Sequence, residues 1–470
     1  MPGAGRCESS VTDRDYALSP GRSPVTRLPG LSPAACVAGP AEAPPIRLEG
    51  VTRPDASPTR LRVITREIAP VGDLLSYAAP HDPLVWTRRG SWLVGVGSAL
   101  TLTAPAGEAA GLADRWREIA NAARIDDHVE TTGTGLIAFG ALPFATDSGA
   151  LAHLTVPHLT IGHRDGRTWA TWVLPPDGHD EPEAPQPIDF GPHWSAAVGP
   201  GALSPEGYQD AVRAALAAIS VGDVSKVVVA RDLVGTVPAG SDLRRLVRAL
   251  ASGYPDTWVY AVDGLIGASP ETLVTVENGA VTARVLAGTL PRGADPDADR
   301  EAALALASSG KDLDEHGYAV RSLVDALTPF TSALAAGEQP FTLALPNVWH
   351  LATDVEATTA ADTSVLDLLA ALHPTAAVAG TPTDAALATI SRIEPFDRGR
   401  YAGPVGWVDA HGDGEWAIAL RGAQFHLAAA DEGGIPFTAY AGAGIVAGSD
   451  PETELLETRL KFRPIVDALA

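Results

Sequence analysis

The chain predicts an α+β fold with largely antiparallel sheets, on three observations. Strand and helix signals come in runs, without the strict βαβ alternation of a parallel sheet. No internal repeat of short fixed period marks a solenoid or propeller. The two halves are similarly strand-rich, which suits one pseudo-symmetric domain better than two independent ones.

Composition narrows the partners. At 470 residues, 46% hydrophobic and 19% charged, the chain can bury a large core. A formal charge of −23 argues against nucleic acid or an anionic membrane as the main partner. It leaves room for an anionic small molecule if local cations line the pocket. No apolar run reaches the roughly 20 residues of a membrane helix, and the N-terminus lacks a signal-peptide pattern. A cytoplasmic protein, read here as a monomer, is the expectation. Cys7 and Cys36 both lie in the N-terminal segment, so no cysteine chemistry is expected in the folded part. Of 34 basic side chains only three are lysine, at positions 226, 311 and 461. Arginine stays protonated, whereas a buried lysine can serve as a base. Each surviving lysine is therefore a candidate for chemistry.

In chain order, Met1–Thr59 is rich in Pro, Ala, Gly, Ser and Arg without sustained period, and reads as a disordered tail. The folded pattern runs over 60–470, with an N-terminal half at 60–200 and a C-terminal half at 204–470. Strands are expected at Leu61–Ile68, Leu84–Arg88 and Ser91–Leu102, then a helix at Ala110–Ala123. Leu136–Phe139, Leu151–Ile161 and Thr168–Leu174 read as further strands. Their histidines, His153, His158 and His163, alternate faces and read as solvated or edge residues. Asp177–Pro192 is an acidic, Pro-rich loop between the halves. Ser204 caps a helix to Ile219, with Pro205 at its first position. A β-branched strand Lys226–Leu233 and a helix Ser241–Ser252 follow. Trp258–Val262, Leu265–Gly267, Leu273–Glu277 and Val281–Leu286 read as strands, and Asp297–Ser308 and Asp312–Leu327 as helices. The second helix places Asp312 and Glu315 on one face. Strand signals return at Asn347–Leu351, Val405–Asp409, Glu415–Phe425 and Pro436–Val446.

Asp450-Pro451 then opens a last helix, with Asp at the N-cap and Pro at the first position. Glu454, Glu457 and Lys461 share one face, with Leu455, Leu456 and Leu460 expected on the other. Two carboxylates one turn apart could hold a divalent cation through oxygen. Taken alone, the stripe favours an ordinary amphipathic helix with a Glu457–Lys461 surface pair.

The motifs Ser225–Arg231 (SKVVVAR), Gly267–Glu271 (GASPE), Leu286–Thr289 (LAGT), Lys311–His316 (KDLDEH) and Trp349–Thr353 (WHLAT) come in order. They continue with His373–Pro382 (HPTAAVAGTP), Glu394–Trp407 (EPFDRGRYAGPVGW), Gly414–Arg421 (GEWAIALR) and Ala439–Phe462. In this set the chain resembles the chorismate-utilising enzymes, and within them the isochorismate synthases. The resemblance implies two large, mainly antiparallel sheets flanked by helices, chorismate as substrate and Mg²⁺ as cofactor. It also implies roles. Lys226 matches the lysine that activates water, and Glu271 the acid that protonates the departing hydroxyl. Glu315 and Glu457 match magnesium ligands, with Asp312 and Glu454 as supporting carboxylates. Gly288, Thr289, Arg421, Lys461, Gly442 and Gly444 match positions around the substrate carboxylates, and His350 and Tyr401 line the site. Gly310 and Asp314 depart from the Glu and His that relatives often carry there.

The resemblance also separates reactions. Anthranilate synthases lack the lysine matched by Lys226, and one type of aminodeoxychorismate synthase has a nucleophilic lysine where this chain has Ala287. Salicylate synthases keep the whole site and then eliminate pyruvate. Ala377, where they tend to carry Thr, favours stopping at isochorismate. A non-catalytic chorismate-binding relative is the third reading, disfavoured by the retained Lys226, Glu271, Glu315 and Glu457. Menaquinone and siderophore routes both use isochorismate, and the residues do not choose between them.

Overall fold

Both halves of the chain contribute strands to the same two sheets, as a single domain requires. The protein is described from a computed structural model covering residues 60–175, 184–344 and 348–470, without the side chains of Thr289, Glu315 and Val348. The expected tail, residues 177–183 of the acidic loop and Asn347 lie outside the described residues. Among the described residues the larger sheet has 13 strands and the smaller 10. All strand pairs there are antiparallel except Arg62–Glu67 with Arg124–Asp127. Leu84–Arg88 pairs with Trp258–Val262 in the larger sheet, and Ile137–Ala141 with Pro404–Asp409 in the smaller. The expected α+β architecture with two mainly antiparallel sheets is what forms.

The sheets meet through a buried cluster. Trp86, Leu93, Trp169, Trp258 and Tyr260 come from the larger sheet, and Phe139, Val405, Trp407 and Ala417 from the smaller. Removing such side chains from water contributes about 1.5–3 kcal/mol each.

Three expected long strands are each two strands, one in either sheet. Ser91–Leu102 divides into Ser91–Val96 and Leu100–Pro105, with Gly97 at φ +66° between them. Leu151–Ile161 divides into Leu151–Val156 and Leu159–Arg164 around Pro157, which lacks the N–H to continue a ladder. Glu415–Phe425 divides into Gly414–Ile418 and Gly422–Phe425, with Arg421 at φ 55°. The apolar pattern continues across each break because both pieces are buried, so periodicity does not register the change of sheet. The histidine reading is also corrected at one position. His153 has a side chain only 12% exposed, set 3.5 Å from Asp263.

The C-terminal helix Pro451–Leu469 begins as expected, with the Asp450 carboxylate accepting the Thr453 amide at 2.9 Å. Its leucine face does not form. Leu456 and Leu460 are 50% and 46% exposed, while the buried stripe is Glu454, Leu455, Thr458, Phe462, Ile465 and Leu469. This stripe packs on the strand Ile435–Ile445 and on the helix Pro205–Ser220. No helix among the described residues is long and apolar enough to cross a membrane.

Candidate active site

Lys226 opens the strand Lys226–Val237, which is held on both edges. One edge runs antiparallel to Ile435–Ile445, pairing Val228 with Gly444 and Ala230 with Gly442. On the other, Ser225 and Val228 donate to the carbonyls of Thr381 and Ala379, each at 2.8 Å. Where that segment ends, two side chains continue the ladder. Arg398 donates to the Val228 and Val378 carbonyls at 2.9 Å each, and Glu394 accepts the Ala230 amide at 2.7 Å. Arg398 and Glu394 are themselves ion-paired at 2.6 Å with side chains 2% and 1% exposed. Neither residue has an expected task from the motif Glu394–Trp407. Their spacing of four on the chain was the available signal.

Glu271 and Arg421 sit where the chain crosses between sheets. Glu271 joins Leu265–Ser269 of the larger sheet to Thr272–Glu277 of the smaller, and Arg421 makes the reverse passage. The crossings brace each other: the Glu271 carbonyl accepts the Ile418 amide at 3.1 Å, and the Arg421 carbonyl accepts the Ala268 amide at 3.3 Å. Burial raises the Glu271 carboxyl above its ordinary value and outweighs the opposing pull of Lys226, Lys461 and Arg421. Burial likewise lowers Arg421, against the fields of Tyr401, Glu457 and Glu271. These two groups, Lys226 and Lys461 thus share one electrostatic neighbourhood.

His350 joins it from the strand Val348–Thr359. Burial lowers its imidazole, a hydrogen bond with the Gly288 backbone opposes this, and the charges of Lys226 and Lys461 lower it further. Gly288 sits at a bulge with φ +77°, and a Cβ there would stand 3.2 Å from Asp312 Cβ. Glycine meets both demands, left-handed backbone and close approach of a helix. Next to it, Thr289 pairs through its backbone with His350. Tyr401 stacks on Tyr440 at 5.2 Å, and burial pushes its hydroxyl up to about 12.

The terminal helix supplies the acidic side. Lys461 Nζ donates to the Gly442 carbonyl at 2.9 Å and pairs with Glu457 at 2.5 Å. Glu454 is 9% exposed, and its carboxyl is raised by burial and by the Glu457 charge. Gly442 permits the close strand contact: a Cβ there would be 2.9 Å from the Val229 carbonyl. Asp312 is half-buried near the start of the helix Gly310–Leu327, its carboxylate accepting the Ser309 hydroxyl. Glu315 lies on the same helix, but its side chain is outside the described residues.

Of the expected site residues, Lys226, Glu271, His350, Arg421, Glu457 and Lys461 are therefore one cluster, with Tyr401, Glu454, Gly442 and Gly444 beside them. Asp312 adjoins it through Gly288. Among the described residues, no group of three or more His, Cys, Asp or Glu is gathered as a metal site. Glu454 and Glu457 nevertheless fit a hard cation: both donate only oxygen, and their mutual repulsion is of the kind a divalent ion relieves.

Comparison with known proteins gives the family. Residues 59–470 match the family model described as chorismate binding enzyme. The isochorismate synthase DhbC of Bacillus subtilis is 42% identical over 278 residues, covering 56% of this chain and 68% of that protein. The isochorismate synthase EntC of Escherichia coli K12 is 34% identical over 265 residues, covering 55% and 66%. The structure of the menaquinone-specific isochorismate synthase MenF from Escherichia coli superposes with a TM-score of 0.68 at 24% identity, covering 86% of this chain and 94% of that one, and shares the fold. With nearly all of its described length matched, the chain belongs to the chorismate binding enzyme family.

Proposed function

We propose that this protein is a Mg²⁺-dependent isochorismate synthase, which adds water at C2 of chorismate as the C4 hydroxyl leaves. The observation that carries this reading is that Lys226 acts on the buried Glu271 carboxyl within one cluster. A lysine and a carboxyl held towards its protonated form share one cluster, the first opening a strand and the second at the crossing between two others. The reaction needs such a pair: one group to take a proton from water and another to give one to the leaving oxygen. Lys226 Nζ is the proposed base. The protonated Glu271 carboxyl is the proposed acid, and the hydroxyl departs as water. Water enters and water leaves, so the reaction is an isomerisation.

Arg421, Lys461 and the backbone around Gly288, Thr289, Gly442 and Gly444 are the proposed contacts for the two substrate carboxylates. They give an acidic protein a local cationic site for a dianion. His350 and Tyr401 are proposed to wall the ring; His350, held neutral by burial, adds no charge there at neutral pH. Glu315 and Glu457, supported by Asp312 and Glu454, would hold magnesium. Bound there, the ion would neutralise and orient one carboxylate of the substrate.

The test is product identification after incubation with chorismate and Mg²⁺. Isochorismate is expected. Salicylate with pyruvate as the main product would replace this reading by salicylate synthesis, which Ala377 disfavours. Absence of turnover, with chorismate still bound, would make the chain a binding relative.

A further inference from the structure

Four arginines among the described residues are at least nine-tenths buried, and three of them have a carboxylate. Arg244 pairs with Asp242 at 2.7 Å, Arg398 with Glu394 at 2.6 Å and Arg400 with Asp263 at 2.6 Å. Arg231 is the fourth. It is 5% exposed, yet its Nε and Nη1 are buried with no hydrogen-bond partner among the described residues. The carboxylate next to it in sequence is already engaged: Asp232 accepts the amides of Ala202 and Leu203 at 2.8 and 3.1 Å. Tyr208, the nearby hydroxyl, donates to the Val229 carbonyl at 3.3 Å. What Arg231 does meet is the Phe462 ring, 5.3 Å from its guanidinium carbon, with the positive charge of Arg459 opposed by the fields of Tyr208 and Asp232.

A lysine in this position could lose its proton, but an arginine cannot. Buried guanidinium donors that no acceptor meets are costly for a fold to hold. The Phe462 face offsets part of that cost, and the exposed Arg459 adds to it. We propose that Arg231 and Arg459 form a binding site for a compact inorganic anion, beneath the contact of the helices Pro205–Ser220 and Pro451–Leu469. The guanidinium supplies unpartnered donors of the kind that chloride or phosphate accepts. The site is separate from the chorismate cluster, although Phe462 and Arg459 belong to the helix that carries Glu454, Glu457 and Lys461.

The experiment is thermal unfolding of the full-length protein at fixed ionic strength. Sodium HEPES, whose anion is too bulky to reach a guanidinium under Phe462, is replaced stepwise by sodium chloride or sodium phosphate. Tm should climb by about 2 °C per tenfold rise in the bound anion above its Kd. The anion that acts at the lower concentration is the better ligand. Arg231→Met should keep or raise Tm in HEPES and lose the anion-dependent climb. Arg459→Gln, at an exposed position, should shift the climb to several-fold higher anion. A wild-type Tm indifferent to both anions would overturn the proposal. So would a climb that survives in Arg231→Met, since the anion would then act elsewhere.

Discussion

Lys226 lies across the face of Gly444: a Cβ on that glycine would stand 3.1 Å from Lys226 Cε and 3.9 Å from Nζ. Gly444 is paired with Val228 in the adjoining strand, so its backbone cannot retreat without breaking the ladder. Gly444→Ala should therefore displace the lysine and spare the sheet. A shift below one ångström in a proton-transferring group is enough to lower kcat about ten- to a hundred-fold. Steady-state kinetics with chorismate should show that loss in kcat with little change in KM, and circular dichroism an unaltered fold.

Glu271 yields a prediction in which activity and stability move oppositely. Its folded-state carboxyl is raised, so the fold favours the protonated form. The associated stability is fully present below the ordinary carboxylate range and is lost as pH rises through the raised value. Glu271→Gln mimics the protonated state in shape and cannot release a proton. Turnover should fall about 10²–10⁴-fold. At pH 8 the variant should nevertheless melt no lower than wild type, and at pH 4 the two should converge. A variant clearly less stable at pH 8 would show that the carboxylate is the form the fold prefers.

Much of this site was legible because its residue types are chemically unusual where they stand. A lysine in a chain that uses arginine almost everywhere, and Glu454 and Glu457 one turn apart after a clear N-cap, can be read locally. The change of sheet at Gly97, Pro157 and Arg421 could not, since alternation of apolar residues continues when both segments are buried. Leu456 and Leu460 misled for a related reason: leucines mark a core only when a neighbour covers them, and the stripe that is covered includes a glutamate. The Glu394–Arg398 clamp joins Val228 and Ala230 across more than 160 residues, a distance that no local pattern spans.

Glu457 should control the metal more than the fold. Its side chain is 42% exposed and pairs with Lys461, so Glu457→Gln removes an oxygen charge without burying anything new. Chelation is expected to abolish turnover in the wild type, with recovery on adding Mg²⁺. The variant should need about 10–100-fold more Mg²⁺ for half-maximal activity, as losses in a metal site generally produce. Melting curves give an independent readout: an Mg²⁺-dependent rise in Tm in the wild type should move to correspondingly higher concentration in Glu457→Gln.

The buried Glu394–Arg398 pair should have the largest effect on stability. Glu394→Gln leaves the Arg398 guanidinium charged in a site 2% exposed, and weakens the acceptor for the Ala230 amide. Breaking such a pair from one side costs about 3–5 kcal/mol. Removing both charges together, as Glu394→Gln with Arg398→Met, should cost less than the sum of the single substitutions, because no lone ion is left behind. Chemical denaturation of the four proteins of this cycle would measure the difference. Additive losses would mean that the carbonyls of Val228 and Val378, and not Glu394, are what hold Arg398 in place.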